Sequence, residues 1–183
     1  MSVFEHVRLA PADPILGLAE AFKADERTSK VNLGIGVYLD ENGHLPLMNC
    51  VHAAENRLAA AAKPHAYLGI DGLPDYVHLV RELVFGADSP AVAQGRIVTA
   101  QSLGGTGALR VGADFLATLN PGAPVLISDP SWENHRAIFA RAGFVVGAYR
   151  YYDSETRTIN FEGMIEDLEA ARPGTIVVLH ACC

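Results

Sequence analysis

Gly104-Gly105-Thr106-Gly107 lies between an apolar stretch and a helical one. Glycines at such a junction let backbone amides approach a ligand closely. A helix start adds unpaired N–H groups and partial positive charge, and Thr106 adds a hydroxyl. The loop suits a phosphate, and it equally suits a plain tight turn. It is not a nucleotide-type phosphate loop, because no Gly-Lys-Ser/Thr follows. Trp132, the sole tryptophan, opens a helix just after a strand end, where ligand crevices of α/β sheets lie. Its indole is suited to stacking on a flat ring or to anchoring a core. His135, three residues on, shares a similar helix face and either supports a site or sits on the surface. His180 with Cys182 and Cys183 is a poor metal set, since zinc ligands are not normally adjacent cysteines. Gly34-Ile35-Gly36 fails as a dinucleotide fingerprint because Leu39 replaces the third glycine. No Gly-x-Ser-x-Gly occurs, so serine hydrolysis is unsupported.

These residues need a frame. The chain has 183 residues, half of them hydrophobic, the balance of a domain with a real core. Its net charge of −7 and lack of a basic cluster argue against nucleic acid and anionic membrane surfaces. No apolar run is long enough to span a bilayer, and the start has no basic-then-apolar leader pattern. Three cysteines, two adjacent, suit a reducing cytoplasm better than a disulfide framework.

Asp13-Pro14 opens a capped helix carrying Ile15, Leu16, Leu18, Ala19 and Phe22. Residues 31–38 read as an extended, glycine-punctuated loop, Asp40 to Gly43 as a turn, and 49–62 as an alanine-rich helix. Pro74 begins another helix that ends at Gly86. From Arg96 onward the pattern alternates. Strands are expected at 96–101, 125–129, 145–151 and 176–180. Helices are expected after Gly107, over 131–142 with Ser131 as N-cap, and over 160–171. Such alternation predicts an α/β domain with a mostly parallel sheet.

Taken in order, the motifs resemble class I pyridoxal-phosphate-dependent aminotransferases of the aspartate/aromatic type. The resemblance is carried by Ala10 to Leu18, Val31 to Tyr38, Tyr67 to Pro74, Leu83 to Gly86, Gly104 to Val111, Asp129 to His135 and Val178 to Cys183. It covers essentially the whole chain, in register. It implies a fold type I transferase. Residues 1–45 would be an N-terminal arm and small-domain segment, and 46–183 an incomplete large domain. It implies pyridoxal 5'-phosphate as cofactor, amino acid and 2-oxo acid substrates, and a homodimer. It also implies roles. Gly105 and Thr106 bind the cofactor phosphate, Trp132 stacks on the ring, and His135 supports the partner of the ring nitrogen. Tyr67 reaches the phosphate in the neighbouring subunit, and the backbone of Gly36 lies against the substrate carboxylate.

The departures are equally definite. The lysines are Lys23, Lys30 and Lys63, and none matches the family's Schiff-base lysine. No residue here matches a catalytic role. The chain reads as an N-terminal portion that is inactive and folds poorly or aggregates on its own. The alternative is a dead binding or interaction module, or a pseudogene fragment. Leu39 and Leu45 lower the polarity near the expected pocket and lean toward aromatic substrates beside aspartate. Thr106 and the Tyr67–Gly72 stretch lean the other way.

Overall fold

A computed structural model describes residues 3–7, 14–32, 34, 36–64 and 66–180. The expected cap Asp13, and Leu33, Ile35, Cys182 and Cys183, lie outside the described residues. The chain divides into two compact units, Met1–His65 and Ala66–Cys183.

The first unit holds α1 (Pro14–Ala24) and α2 (Asn49–Ala61). Lys30 closes the end of α1. Its ammonium donates to the carbonyls of Phe22 and Asp25, 2.6 Å each, and lies 4.4 Å from the centre of the Phe22 ring. A cation there complements the negative end of the helix dipole. The expected turn is present. Asp40 accepts from the Asn42 and His44 amides through its side chain, and from the Gly43 amide through its carbonyl. Gly43 has φ +74°, which glycine adopts without strain.

The second unit begins with α3 (Pro74–Phe85), α4 (Pro90–Ala93) and α5 (Gly104–Leu119). The short α4 was not legible in the sequence. Residues 96–101 were expected to form a strand, but they carry no regular secondary structure. Apolar β-branched residues favour extension, yet a strand needs a ladder partner, and none of the described residues supplies it. Val98 is accordingly 93% exposed.

After α5 the expected alternation appears: β1 (Pro124–Asp129), α6 (Glu133–Arg141) and β2 (Val145–Arg150), then the hairpin of β3 (Tyr152–Asp153) and β4 (Thr158–Ile159), then α7 (Phe161–Glu169) and β5 (Ile176–Val177). The β3–β4 hairpin is an addition to the sequence reading. Asp153 organises its tip by accepting from the Glu155 amide and the Thr156 hydroxyl, both at 2.8 Å. These bonds hold its carboxyl below the usual range.

Strands β2, β1 and β5 form a parallel sheet in that order. The central β1 buries Val125 and Ile127 on one face, and Pro124 and Leu126 are half-buried on the other. Val125 and Ile127 from β1 pack with Ala113 of α5, Ile138 and Phe139 of α6, and the flanking Ala123 and Phe144. Only two residues of the expected 176–180 strand keep sheet geometry, though the Val178 amide still bonds the Leu126 carbonyl at 2.9 Å. At the β2–α7 contact, Arg150 bonds Asp167 through its backbone amide and guanidinium, and also reaches Glu166. The two carboxylates push the guanidinium pKa up, and Arg150 holds Asp167 below the usual carboxylate range.

Candidate functional site

All three strands of the main sheet run the same way, so their C-terminal ends open on one side. Crevices that bind ligands in α/β sheets form at such ends. Here the ends line an open crevice of about 460 Å³. Ser128, Pro130, Ser131 and Trp132 line it from the end of β1, Tyr149, Tyr151 and Tyr152 from the end of β2 and the start of β3, and His180 from the segment after β5. The size and aromatic walls suit a small flat ligand.

The turn from β1 into α6 places Trp132. The Asp129–Pro130 peptide is cis. Ser131 was expected to cap α6, but the N-cap is Trp132, with φ −64° and ψ 127° and no side-chain cap bond. The reason lies in the serine hydroxyl, which sits 2.9 Å from His135 Nδ1 and is engaged there. Trp132 is 36% exposed, so one part of the indole packs and the rest faces the cavity.

His135 stands behind that indole. Its ring meets Trp132 edge to face at 5.3 Å between centroids, and meets His180 in the same manner at 5.1 Å. It is 4% exposed. Burial, with His180 as a smaller contributor, pushes its pKa down, which favours the neutral ring. One nitrogen then accepts and the other donates, an arrangement fitted to relay orientation to a neighbour.

Tyr149 forms the floor. It is 2% exposed, and its hydroxyl donates to the Val178 carbonyl at 3.1 Å, tying the β2 end to the β5 segment. Burial pushes its phenol pKa up, partly offset by a hydrogen bond with Ser128. Sequence reasoning missed Ser128, Tyr149, Tyr151 and Tyr152 as lining residues. The available signal was the tyrosine run at a strand end in a chain only 8% aromatic.

The glycine loop forms the first turn of α5. Gly104 has φ +61°, and a side chain at Gly105 would meet nothing within 4 Å, so the approach to that turn is open. Thr106 is exposed on the same turn. The first N–H groups of any helix lack an acceptor within it. The structure therefore brings Gly105 and Thr106 together, and separately Trp132 and His135. Tyr67 is fully exposed in the same unit. Gly36 belongs to the first unit, also with open space around it.

The second unit is thus an α/β unit with an aromatic-walled crevice at its strand ends and an open, glycine-rich helix start. Residues 28–183 match the family described as aminotransferase class I and II, and the chain belongs to that family. It is 55% identical, over its whole length, to the aspartate aminotransferase of Pseudomonas aeruginosa. It also superposes on two crystal structures of aromatic amino acid aminotransferases. One, from Burkholderia pseudomallei and covalently bound to pyridoxal phosphate, is 61% identical with a TM-score of 0.94. The other, from Burkholderia cenocepacia, is 52% identical with the same TM-score. Both comparisons cover all of this chain. The chain spans 46% of the length of each of these three proteins. The expected fold class, a partial fold type I transferase domain with a mostly parallel sheet, stands. No described helix is long and apolar enough to cross a membrane.

Proposed function

We propose that this chain is the phosphate-holding and ring-stacking portion of a pyridoxal-phosphate-dependent aminotransferase. It would serve transfer of the amino group of aspartate or aromatic amino acids to 2-oxoglutarate, in a cytoplasmic homodimer. The observation that carries the reading is the aromatic crevice at the strand ends, with Trp132 on its wall and His135 buried behind it. The residues fit the cofactor. The open first turn of α5 offers Gly105 and Thr106 to a phosphate, and the crevice offers Trp132 to a planar ring.

When bound, the cofactor supplies an electron sink for bonds at the amino acid α-carbon. The chain's own residues bind and orient. Gly105 and Thr106 would donate to the phosphate, Trp132 would set the ring plane, and His135 holds Trp132 and His180 in place. Tyr67, exposed on its loop, serves the phosphate of a partner subunit. The Gly36 backbone lies against the substrate carboxylate. Residues 1–45 act as arm and small-domain segment and 46–183 as large-domain portion. Proton transfer needs a lysine, and these residues provide none in a matching position. Lys30 is committed to the Phe22 and Asp25 carbonyls. The 183-residue chain by itself is therefore inactive. The same commitment keeps a second reading in view, a binding module without catalysis.

Titration with pyridoxal phosphate, followed through Trp132 fluorescence and then borohydride fixation, tests this. Saturable quenching with no lysine modified is expected. Absence of quenching overturns the cofactor site. Covalent fixation on Lys23, Lys30 or Lys63, or amino transfer by the chain alone, overturns the assignment of catalysis to residues elsewhere.

A further inference from the structure

We infer that Gln101 and Gly72 form a clasp that sets the position of the phosphate-binding turn, with Gln101 as a positioning residue. The inference rests on the cofactor reading above and extends it to residues that no part of that reading uses. Gln101 is bonded twice to the loop that follows Tyr67. Its amide donates to the Asp71 carbonyl at 2.9 Å. Its side-chain Oε1 accepts from the Leu73 amide, also at 2.9 Å. Gly72 permits the approach. It is buried, with φ +95°, and a Cβ there would fall 2.3 Å from Gln101 Cβ and 2.6 Å from Oε1. Gln101 Cβ is fixed to the backbone and cannot swing away, so no side chain fits at 72 without opening the clasp.

Core packing through Ala113 holds the body of α5, but its first turn has no side-chain cap to fix it. The N-cap residue Leu103 makes no side-chain cap bond and is 92% exposed. Residues 96–101 have no ladder to anchor them. Only Ser102 and Leu103 separate Gln101 from Gly104. An open groove of about 340 Å³ lies between the two loops, lined by Leu68 to Ile70 and Gly72 on one side and Gln101 to Leu103 on the other. The clasp thus joins the Tyr67 loop to the Gly105–Thr106 turn of the same chain, and so links parts of the two anion sites in the proposed dimer.

The test uses the full chain at dilute concentration, with Trp132 fluorescence as readout and pyridoxal phosphate and pyridoxal as paired probes. The unmodified chain should prefer the phosphorylated probe, and no preference there would sink the phosphate-site reading itself. Gln101→Met removes the acceptor and keeps the length. It should weaken pyridoxal phosphate about three- to tenfold, the scale of one lost hydrogen bond, and leave pyridoxal unchanged. Leu73→Pro removes the donor instead. The native φ of −74° at 73 suits proline, so this variant stands in if Gln101→Met does not fold. Selective loss of the phosphorylated probe in a folded variant supports the clasp. Equal loss of both probes would mark a purely structural contact. Unchanged binding of both would show that the turn holds its position unaided. Either of these last two results overturns the inference.

Discussion

Ser131 Oγ and His135 Nδ1 lie 2.9 Å apart across the start of α6. The serine thereby stops being a helix cap and becomes the partner of a buried imidazole, which also touches Trp132 and His180. This contact carries the first prediction.

Burial lowers the His135 pKa from 6.5, so the unfolded chain takes up its proton at higher pH than the folded one. Between the lowered folded value and 6.5 the unfolded state binds more protons, and stability falls as pH drops. Above 6.5 this contribution is fully present. Melting curves should show a loss below about pH 6.5 that His135→Gln reduces. Parallel losses in both proteins would rule out His135 as the source.

Core substitutions should separate packing from hydrogen bonding. Phe139 is 4% exposed and packs in the centre of the second unit. Phe139→Ala should cost about 3–5 kcal/mol. Tyr149→Phe removes only the hydroxyl that reaches Val178 and should cost about 1 kcal/mol. Denaturant unfolding measures both, and equal costs would contradict the packing described.

Two ligand-facing substitutions should differ in kind. Thr106→Val removes a hydroxyl from the α5 turn, so it should weaken pyridoxal phosphate about five- to tenfold and spare pyridoxal. Trp132→Phe reduces the stacking surface and should weaken both ligands alike. Equilibrium dialysis distinguishes the patterns, and a Thr106→Val loss shared by both ligands would argue against a phosphate at α5.

Among the described strands of the main sheet, β2 and β5 each have a neighbour on one side only. Open edges of parallel strands template further pairing. Sedimentation velocity should show association that grows with concentration beyond a dimer. Val177→Lys places a charge on one edge and should reduce it. A single species at every concentration would contradict this expectation.

The alternation after Arg96 was legible because β1, β2, α6 and α7 each carry a local period and a stop signal. Gly143 and Gly174, both at positive φ, end segments where glycine is needed. The strand expected at 96–101 was not realised, because a ladder is a property of neighbours and the local sequence encodes only extension. The role of Ser131 was misread for a related reason. Its cap position is a local cue, but the competing imidazole of His135 becomes available only once α6 has turned. Trp132 was legible as a crevice residue because crevices form at strand ends, and the glycine loop was legible as an open helix start. The tyrosines of the crevice were not, since strand geometry decides which of Tyr149, Tyr151 and Tyr152 face inward. The 67–73 loop read as a family signature, and its bonds to Gln101 are visible only in three dimensions.

The bond from Tyr149 to Val178 joins residues far apart in the chain. A crevice closed by such a bond cannot exist in the first part of a growing polypeptide. On the ribosome, Trp132 emerges well before His180, and until the later segment docks the indole has no histidine pair behind it. Contacts of long sequence separation form late because loop closure precedes their reward. The crevice wall therefore assembles only once the 178–180 segment has docked beside β1 and β2.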